Sequence, residues 1–260
     1  MASVRTTLAG SVRGKAAVKV PSKSERTEAS IVDAALELFA EYGYEATTMR
    51  QIADRAGVSV GNSYYYFASK EALVQALYER FSYATFDVAM QRVARAELLA
   101  DRIAEAMFAW VDTMSPYRLF GAAFFRSATD FGSSVSPFSK ESAHIRTHSY
   151  ELWRTVLNGA TDTQDLAPIK PETIADHDHS SSPEAPSDRL PQLLWLYALG
   201  IVAIWSQDPT PTSERTIALI RRSAPLLAHV VKLSANPMFV PVAQDVLGLI
   251  DEIGSLRDPL

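Results

Sequence analysis

The chain has 260 residues, enough for one large domain or two smaller ones, and 47% of them are hydrophobic, which supplies a buried core and excludes a disordered chain. It contains no cysteine, so disulfide frameworks, thiolate metal sites and thiol nucleophiles are excluded and stability must come from packing. The net charge of −5 hides a division: residues 1–23 carry Arg5, Arg13, Lys15, Lys19 and Lys23 with no acid, residues 24–72 carry four bases against eight acids, and the remainder sixteen against twenty-two.

Residues 1–23 have no aromatic residue and no helical period, which predicts a flexible basic arm. Arg13, Lys15 and Lys19 interrupt every apolar run there, so the arm does not read as a secretion signal, and a cytoplasmic location is expected. From Ser24 the pattern turns helical: Ile31, Ala34, Ala35, Leu38 and Phe39 form one stripe that stops at Gly43. Thr47 and Thr48 are candidate N-caps for a second, short helix with Ile52, Ala53 and Ala56 on one face before Gly57. A third helix starts after Ser59 and runs through Tyr64 to Phe67. Ser69 caps a fourth, whose stripe of Leu73, Leu77 and Phe81 runs on into the rest of the chain.

Beyond residue 95 the apolar period stays near 3.6, predicting helices over Glu97 to Met114, Tyr117 to Thr129, Phe138 to Leu157, Leu190 to Ser206, Pro211 to Leu233 and Pro237 to Ile253. Thr210 before Pro211 reads as a helix start, and Pro225 as a kink within the same helix. The apolar run Leu193 to Trp205 falls short of the roughly 20 residues a spanning helix needs and reads as a buried helix of a soluble protein. Residues 160–189, rich in proline and serine, read as a long connection. No alternating strand pattern is convincing, so the expected fold class is all-α.

Two short helices joined by a glycine-containing turn are the elements of a helix-turn-helix, whose second helix lies in the DNA major groove. Ala53 must be small where the helices cross, Gly57 must permit the turn, and Ile52, Ala56, Val58 and Tyr66 must close the core behind the recognition helix. Three linked segments carry a specific resemblance: Thr47-Thr48-Met49-Arg50-Gln51-Ile52-Ala53, Ala56-Gly57-Val58-Ser59, and Gly61-Asn62-Ser63-Tyr64-Tyr65-Tyr66-Phe67 running to Ser69-Lys70-Glu71-Ala72-Leu73. Over about residues 26–80 the chain resembles the head of TetR-family transcriptional regulators. That resemblance implies a basic arm (1–23), a DNA-binding domain (24–80) and a larger antiparallel helical body for effector binding and dimerisation (81–260). It implies a homodimeric repressor released from a palindromic operator on double-stranded DNA by a small apolar or aromatic effector.

The resemblance further implies that Ser59 caps the recognition helix, that Val60, Gly61 and Asn62 face base edges, and that Thr48, Arg50, Tyr64, Tyr66 and Lys70 lie against the DNA. Tyrosine hydroxyls and lysines suit phosphate oxygens, which fix register without reading sequence. Ser63 departs from the pattern by standing where an apolar residue is usual, so its hydroxyl either bonds back to the helix or turns outward.

In the body, Phe108, Trp110, Tyr117, Phe120, Phe124, Phe125, Trp153, Trp195 and Tyr197 exceed what bundle packing needs. An effector cavity is expected, with Phe108, Trp110, Tyr117, Phe120, Phe124, Trp153 and Trp195 as its lining. Leu193, Leu194, Tyr197, Ile201 and Ile204, with Ile217, Ile220, Leu227 and Val231 on the next helix, offer a dimer face. Glu141, His144 and His148 share a helical face that could hold a metal, lie on the surface or form part of a pocket wall, and His177 and His179 read as a solvated loop. No phosphate loop, nucleophile elbow or paired-carboxylate motif is present, so no catalytic residue, cofactor or metal is assigned. Two alternatives stay open: a DNA-binding regulator without a small-molecule ligand, and a metal-dependent hydrolase built on Glu141, His144 and His148.

Overall fold

The computed structural model describes residues 22–118, 121, 136–163 and 189–234, with residues 236, 238, 241, 245 and 248 beyond them. The basic arm before residue 22, Phe120, Phe124 and Phe125, His177 and His179 with most of the 160–189 connection, and most of the helix expected over 237–253 lie outside the described residues.

Among the described residues the fold is all helical, with no strand. Four capped helices open it. In α1, Lys23–Tyr42, the Ser22 hydroxyl accepts the Glu25 N–H (3.1 Å) while the Glu25 carboxylate accepts the Ser22 N–H, and the helix ends at Gly43 with φ 84°. In α2, Met49–Ala56, Thr48 and Gln51 make the same reciprocal pair, and Gly57 at φ 69° turns the chain. Thr47, the other cap candidate, is instead buried, with its hydroxyl 2.8 Å from the Gly43 carbonyl. α3, Val60–Tyr66, is capped by Ser59 and α4, Lys70–Val93, by Ser69.

The body follows with α5, Leu99–Met114, a 3-10 turn over Ser115–Tyr117, α6, Ala143–Asn158, α7, Leu190–Gln207, and α8, Glu214–Ser234. Two helices start later than their apolar period suggested. The helix expected from Phe138 begins at Ala143 because serines divert the backbone: Ser139 N–H donates to the Ser136 carbonyl (2.9 Å) and Ser142 N–H to the Ser139 hydroxyl (3.0 Å). The helix expected from Pro211 begins at Glu214 because the Asp208 carboxylate draws in the N–H and hydroxyl of both Thr210 and Thr216, with Ser213 between them at φ 58°. Pro225 lies inside α8, which continues past it to Ser234.

α4 joins the two halves. Its Leu73, Val74 and Leu77 pack with Ile31, Phe39 and Ile52 in one core, and its Phe81, Ala89 and Val93 continue into the core of the body. At 24 residues it extends about 36 Å. α5 packs on α4 and α8, and α6 on α4 and α7. α7 departs from the buried helix expected of it. It is long and apolar enough to cross a membrane by length and composition, yet only 33% of it is buried, with Leu194, Trp195, Ile201 and Trp205 inside and Gly200 and Ile204 exposed.

Candidate nucleic-acid interface and effector cavity

The α2–turn–α3 unit is rigid because each turn of backbone has a named partner. Ala53 is fully buried at the crossing, and the Val58 N–H donates to its carbonyl (3.0 Å). Ser63 is fully buried, and its hydroxyl donates to the Val60 carbonyl at 2.8 Å, so the polar group that breaks the apolar pattern is satisfied within its own helix. Opposite that buried side, Thr48, Arg50, Ser59, Gly61 and Tyr64 are exposed, and Val60 and Asn62 are half-buried. Arg50 has no hydrogen-bond or ionic partner among the described residues, which leaves its charge free for an external anion.

Two of the expected contact residues are already engaged. The Tyr66 ring packs on the core and its hydroxyl lies 3.1 Å from the Ser24 hydroxyl, tying α3 to α1. Lys70 donates to the carbonyls of Tyr44 (2.7 Å) and Thr47 (3.1 Å), with its ammonium 4.1 Å from the centre of the Tyr44 ring. It thus fastens the α1–α2 connection to α4 and keeps one N–H to offer outward. Tyr44 in turn donates its hydroxyl to Glu71 (2.9 Å), and burial followed by that bond raises its pKa. Tyr65, absent from the sequence-derived contacts, is the most exposed ring of the unit at 81%. Its signal was present in the Tyr64-Tyr65-Tyr66 run, since one helical turn cannot point three adjacent rings inward.

Between α4, α5, α6 and α7 lies an apolar cavity of about 140 Å³. Trp110, Trp153 and Trp195, three of the rings named from the sequence, line it. Phe108 and Tyr117 are not brought to it. On α5, Met107, Trp110 and Met114 share the facing side, while Phe108, one residue out of phase, lies beside the Arg221 guanidinium (5.9 Å) on an outer groove. The Tyr117 ring packs on Phe81 with centroids 4.8 Å apart. Sequence reasoning missed Trp205 and Thr85, which also line the cavity, and His148, for which a pocket wall is one of the readings the sequence leaves open, lines it too. The Trp205 ring meets Trp110 edge-on at 4.9 Å.

Glu141, His144 and His148 part company. His144 approaches Glu79 at 3.5 Å on the surface, Glu141 is exposed before α6, and His148 packs between the rings of Tyr83 (4.4 Å) and Phe86 (4.1 Å). Burial lowers the His148 pKa against the pull of Glu151 and Asp87, so the imidazole is neutral at neutral pH. Among the described residues no three His, Cys, Asp or Glu side chains gather where a metal ion could be held.

Residues 31–77 match the family described as bacterial regulatory proteins, tetR family, and residues 171–246 match a tetracyclin repressor-like C-terminal domain. The chain is 46% identical over 56 residues to the A-factor receptor protein of Streptomyces griseus, across 22% of this chain and 20% of that protein. It is 46% identical over 61 residues to the HTH-type transcriptional regulator RutR of Escherichia coli K12, across 22% of this chain and 29% of that protein. These matches span less than a third of the curated relatives' length. In three dimensions the chain is similar to the transcriptional regulator FadR of Bacillus subtilis, solved in complex with stearoyl-CoA, with a TM-score of 0.55 and 18% identity over 77% of this chain and 97% of that one. At that identity the likeness is one of fold.

Proposed function

The chain belongs to the TetR family of bacterial regulatory proteins, and from that membership we propose that it is a homodimeric transcriptional repressor released from its operator by a small, largely apolar effector. The observation that carries the reading is the α2–turn–α3 unit, with a satisfied core on one side and the unpaired Arg50 and exposed Tyr64 and Tyr65 on the other. Residues 24–80 act as the DNA-binding domain, with the basic arm 1–23 supplying long-range attraction that the acid-rich head lacks. Thr48, Arg50, Tyr64, Tyr66 and Lys70 meet the backbone, and Ser59, Val60, Gly61 and Asn62 present the end of α3 to the bases. The assignment calls for no catalytic chemistry, and a protein acting on the bacterial chromosome works in the cytoplasm.

Residues 81–260 form the effector and dimerisation body. Dimerisation is assigned to α7 and α8, where Ile204, Leu226, Val230 and Leu233 stand 46 to 66% exposed, an unusual amount of apolar surface for a lone subunit. Of the dimer residues expected from sequence, Leu194, Ile201, Ile220 and Val231 are buried in their own subunit, so the pairing face is turned toward Leu226 and Val230. α4 couples the sites, since Leu73 and Leu77 hold the head while Phe81, Thr85 and Phe86 line the cavity. Recognition helices must sit roughly 34 to 36 Å apart to enter successive major grooves. An effector preferring another α4 position therefore opposes DNA, and DNA weakens that effector by the same factor.

In vitro selection of DNA sites from random sequence tests the proposal. A palindrome with half-sites one helical turn apart, or a multiple of that, is the expected result, and no enrichment above background would overturn it.

A further inference from the structure

Buried polar groups in folded proteins are nearly always hydrogen-bonded, because an unmade bond leaves the cost of removing the group from water uncompensated. Two polar atoms of the residues lining the cavity break this rule. The Trp205 indole N–H belongs to a fully buried side chain, and the Thr85 hydroxyl to one only 6% exposed. Neither has a hydrogen-bond partner among the described residues. Both residues line the same cavity. A helical threonine usually returns its hydroxyl to the carbonyl one turn back, and Thr85 does not. Trp205 cannot turn away to find a partner: its ring meets Trp110 edge-on, lies under the Arg118 guanidinium at 5.8 Å, and would be 2.7 Å from any Cβ placed at Gly121.

The rest of the wall narrows the chemistry. No Lys, Arg, Asp or Glu is among the described lining residues, the only histidine there is held neutral by burial, and the Ser149 hydroxyl already donates to the Ile145 carbonyl (3.0 Å). No described lining residue offers an ionised group a counter-charge, and the Arg118 guanidinium, on the Trp205 ring at 5.8 Å, lies outside that lining. Burying a charge there carries a cost that ordinary contacts do not offset. A volume near 140 Å³ suits a single substituted ring.

We infer that the effector is a compact uncharged molecule, about one ring in size, carrying a hydrogen-bond acceptor that the Trp205 indole N–H and the Thr85 hydroxyl receive. The inference rests on the reading of this cavity as the effector site. It predicts discrimination by a polar handle and not by apolar area alone.

Three probes of matched size separate the terms: cumene, which has no acceptor, acetophenone, which places a carbonyl at the same branch, and benzoate, which adds a charge. Each is titrated calorimetrically at neutral pH into the full-length protein and into Trp205→Phe and Thr85→Val, with thermal melts verifying that both variants fold. Each variant should weaken acetophenone roughly five- to tenfold and leave cumene within about twofold, the effect of one hydrogen bond. Thr85→Val, nearly isosteric, carries the test by itself if Trp205→Phe does not fold. If the variants reduce acetophenone no more than cumene, the polar handle is overturned while the cavity remains an effector site. Benzoate binding as tightly as acetophenone would overturn the uncharged class. Absence of binding by both neutral probes to the unmodified protein would overturn the cavity reading itself, and this inference with it.

Discussion

Gly159 leaves the space that the Arg102 guanidinium fills: a Cβ at residue 159 would lie 2.1 Å from an Arg102 terminal nitrogen. Arg102 is only 5% exposed and donates to the carbonyls of Val93, the last residue of α4, of Ala96 beyond it, and of Thr155 and Val156 near the end of α6, each at 2.8 Å. One cation thereby satisfies the ends of two helices and fixes the far end of α4, the helix that reaches the head. Burial lowers its pKa from the ordinary arginine value.

Gly159→Ala should therefore destabilise the fold by roughly 1–3 kcal/mol through overpacking. Arg102→Met, which leaves buried carbonyls unpaired, should cost at least about 3 kcal/mol. Urea unfolding at neutral pH measures both, and an unchanged midpoint in Gly159→Ala would mean that the guanidinium has room to move.

Asp208 governs stability in acid. Burial would raise its pKa, but hydrogen bonds from the Thr210 and Thr216 hydroxyls and N–H groups outweigh this and hold it well below the ordinary carboxylate range. The unfolded value is about 3.9, so the stabilisation is complete above that pH and is lost as pH falls toward the depressed folded-state value. Asp208→Asn should lower the unfolding midpoint at pH 7, and the gap from the unmodified protein should narrow below about pH 4. A gap that stays constant between pH 7 and pH 3 would contradict this assignment.

Arg50 and Lys70 should separate in their effects. Arg50→Ala removes a free surface charge and should reduce the salt slope of DNA affinity by about one unit without altering the melting temperature. Lys70→Ala breaks the bonds to Tyr44 and Thr47 and should lower the melting temperature as well as affinity. Tyr64→Phe should weaken affinity with little change in slope. Equal melting temperatures for the Arg50 and Lys70 variants would remove the structural role given to Lys70.

The proposed pairing through α7 and α8 predicts a dimer at micromolar concentration in sedimentation, and Leu226→Glu with Val230→Glu, two exposed positions on α8, should give a folded monomer instead. A dimer that survives both charges places the two-fold axis elsewhere.

Local patterns in the sequence determined the head. Ser59, Ser69, Thr48 and Gly57 act on backbone groups within four residues of themselves, so the helix boundaries and the turn could be read from their spacing. The all-helical body was legible for the same reason, as an apolar period of 3.6. Tertiary structure decided the rest. Which rings line the cavity depends on the rotation of each helix against its neighbours, which selected Trp110 over Phe108 and added Trp205, distant from Trp110 in sequence but in ring contact with it. Lys70 is expected from the sequence to lie against DNA, and only the folding back of the α1–α2 connection gives it the carbonyls of Tyr44 and Thr47. The start of α8 looked local, yet the Asp208 carboxylate moved it from Pro211 to Glu214 by capturing both threonines. For the cavity rings and Lys70 the deciding interaction joins groups whose approach is set by packing, which no propensity or spacing along the chain encodes; at Asp208 the partners are near in sequence and the apolar period was simply the weaker signal.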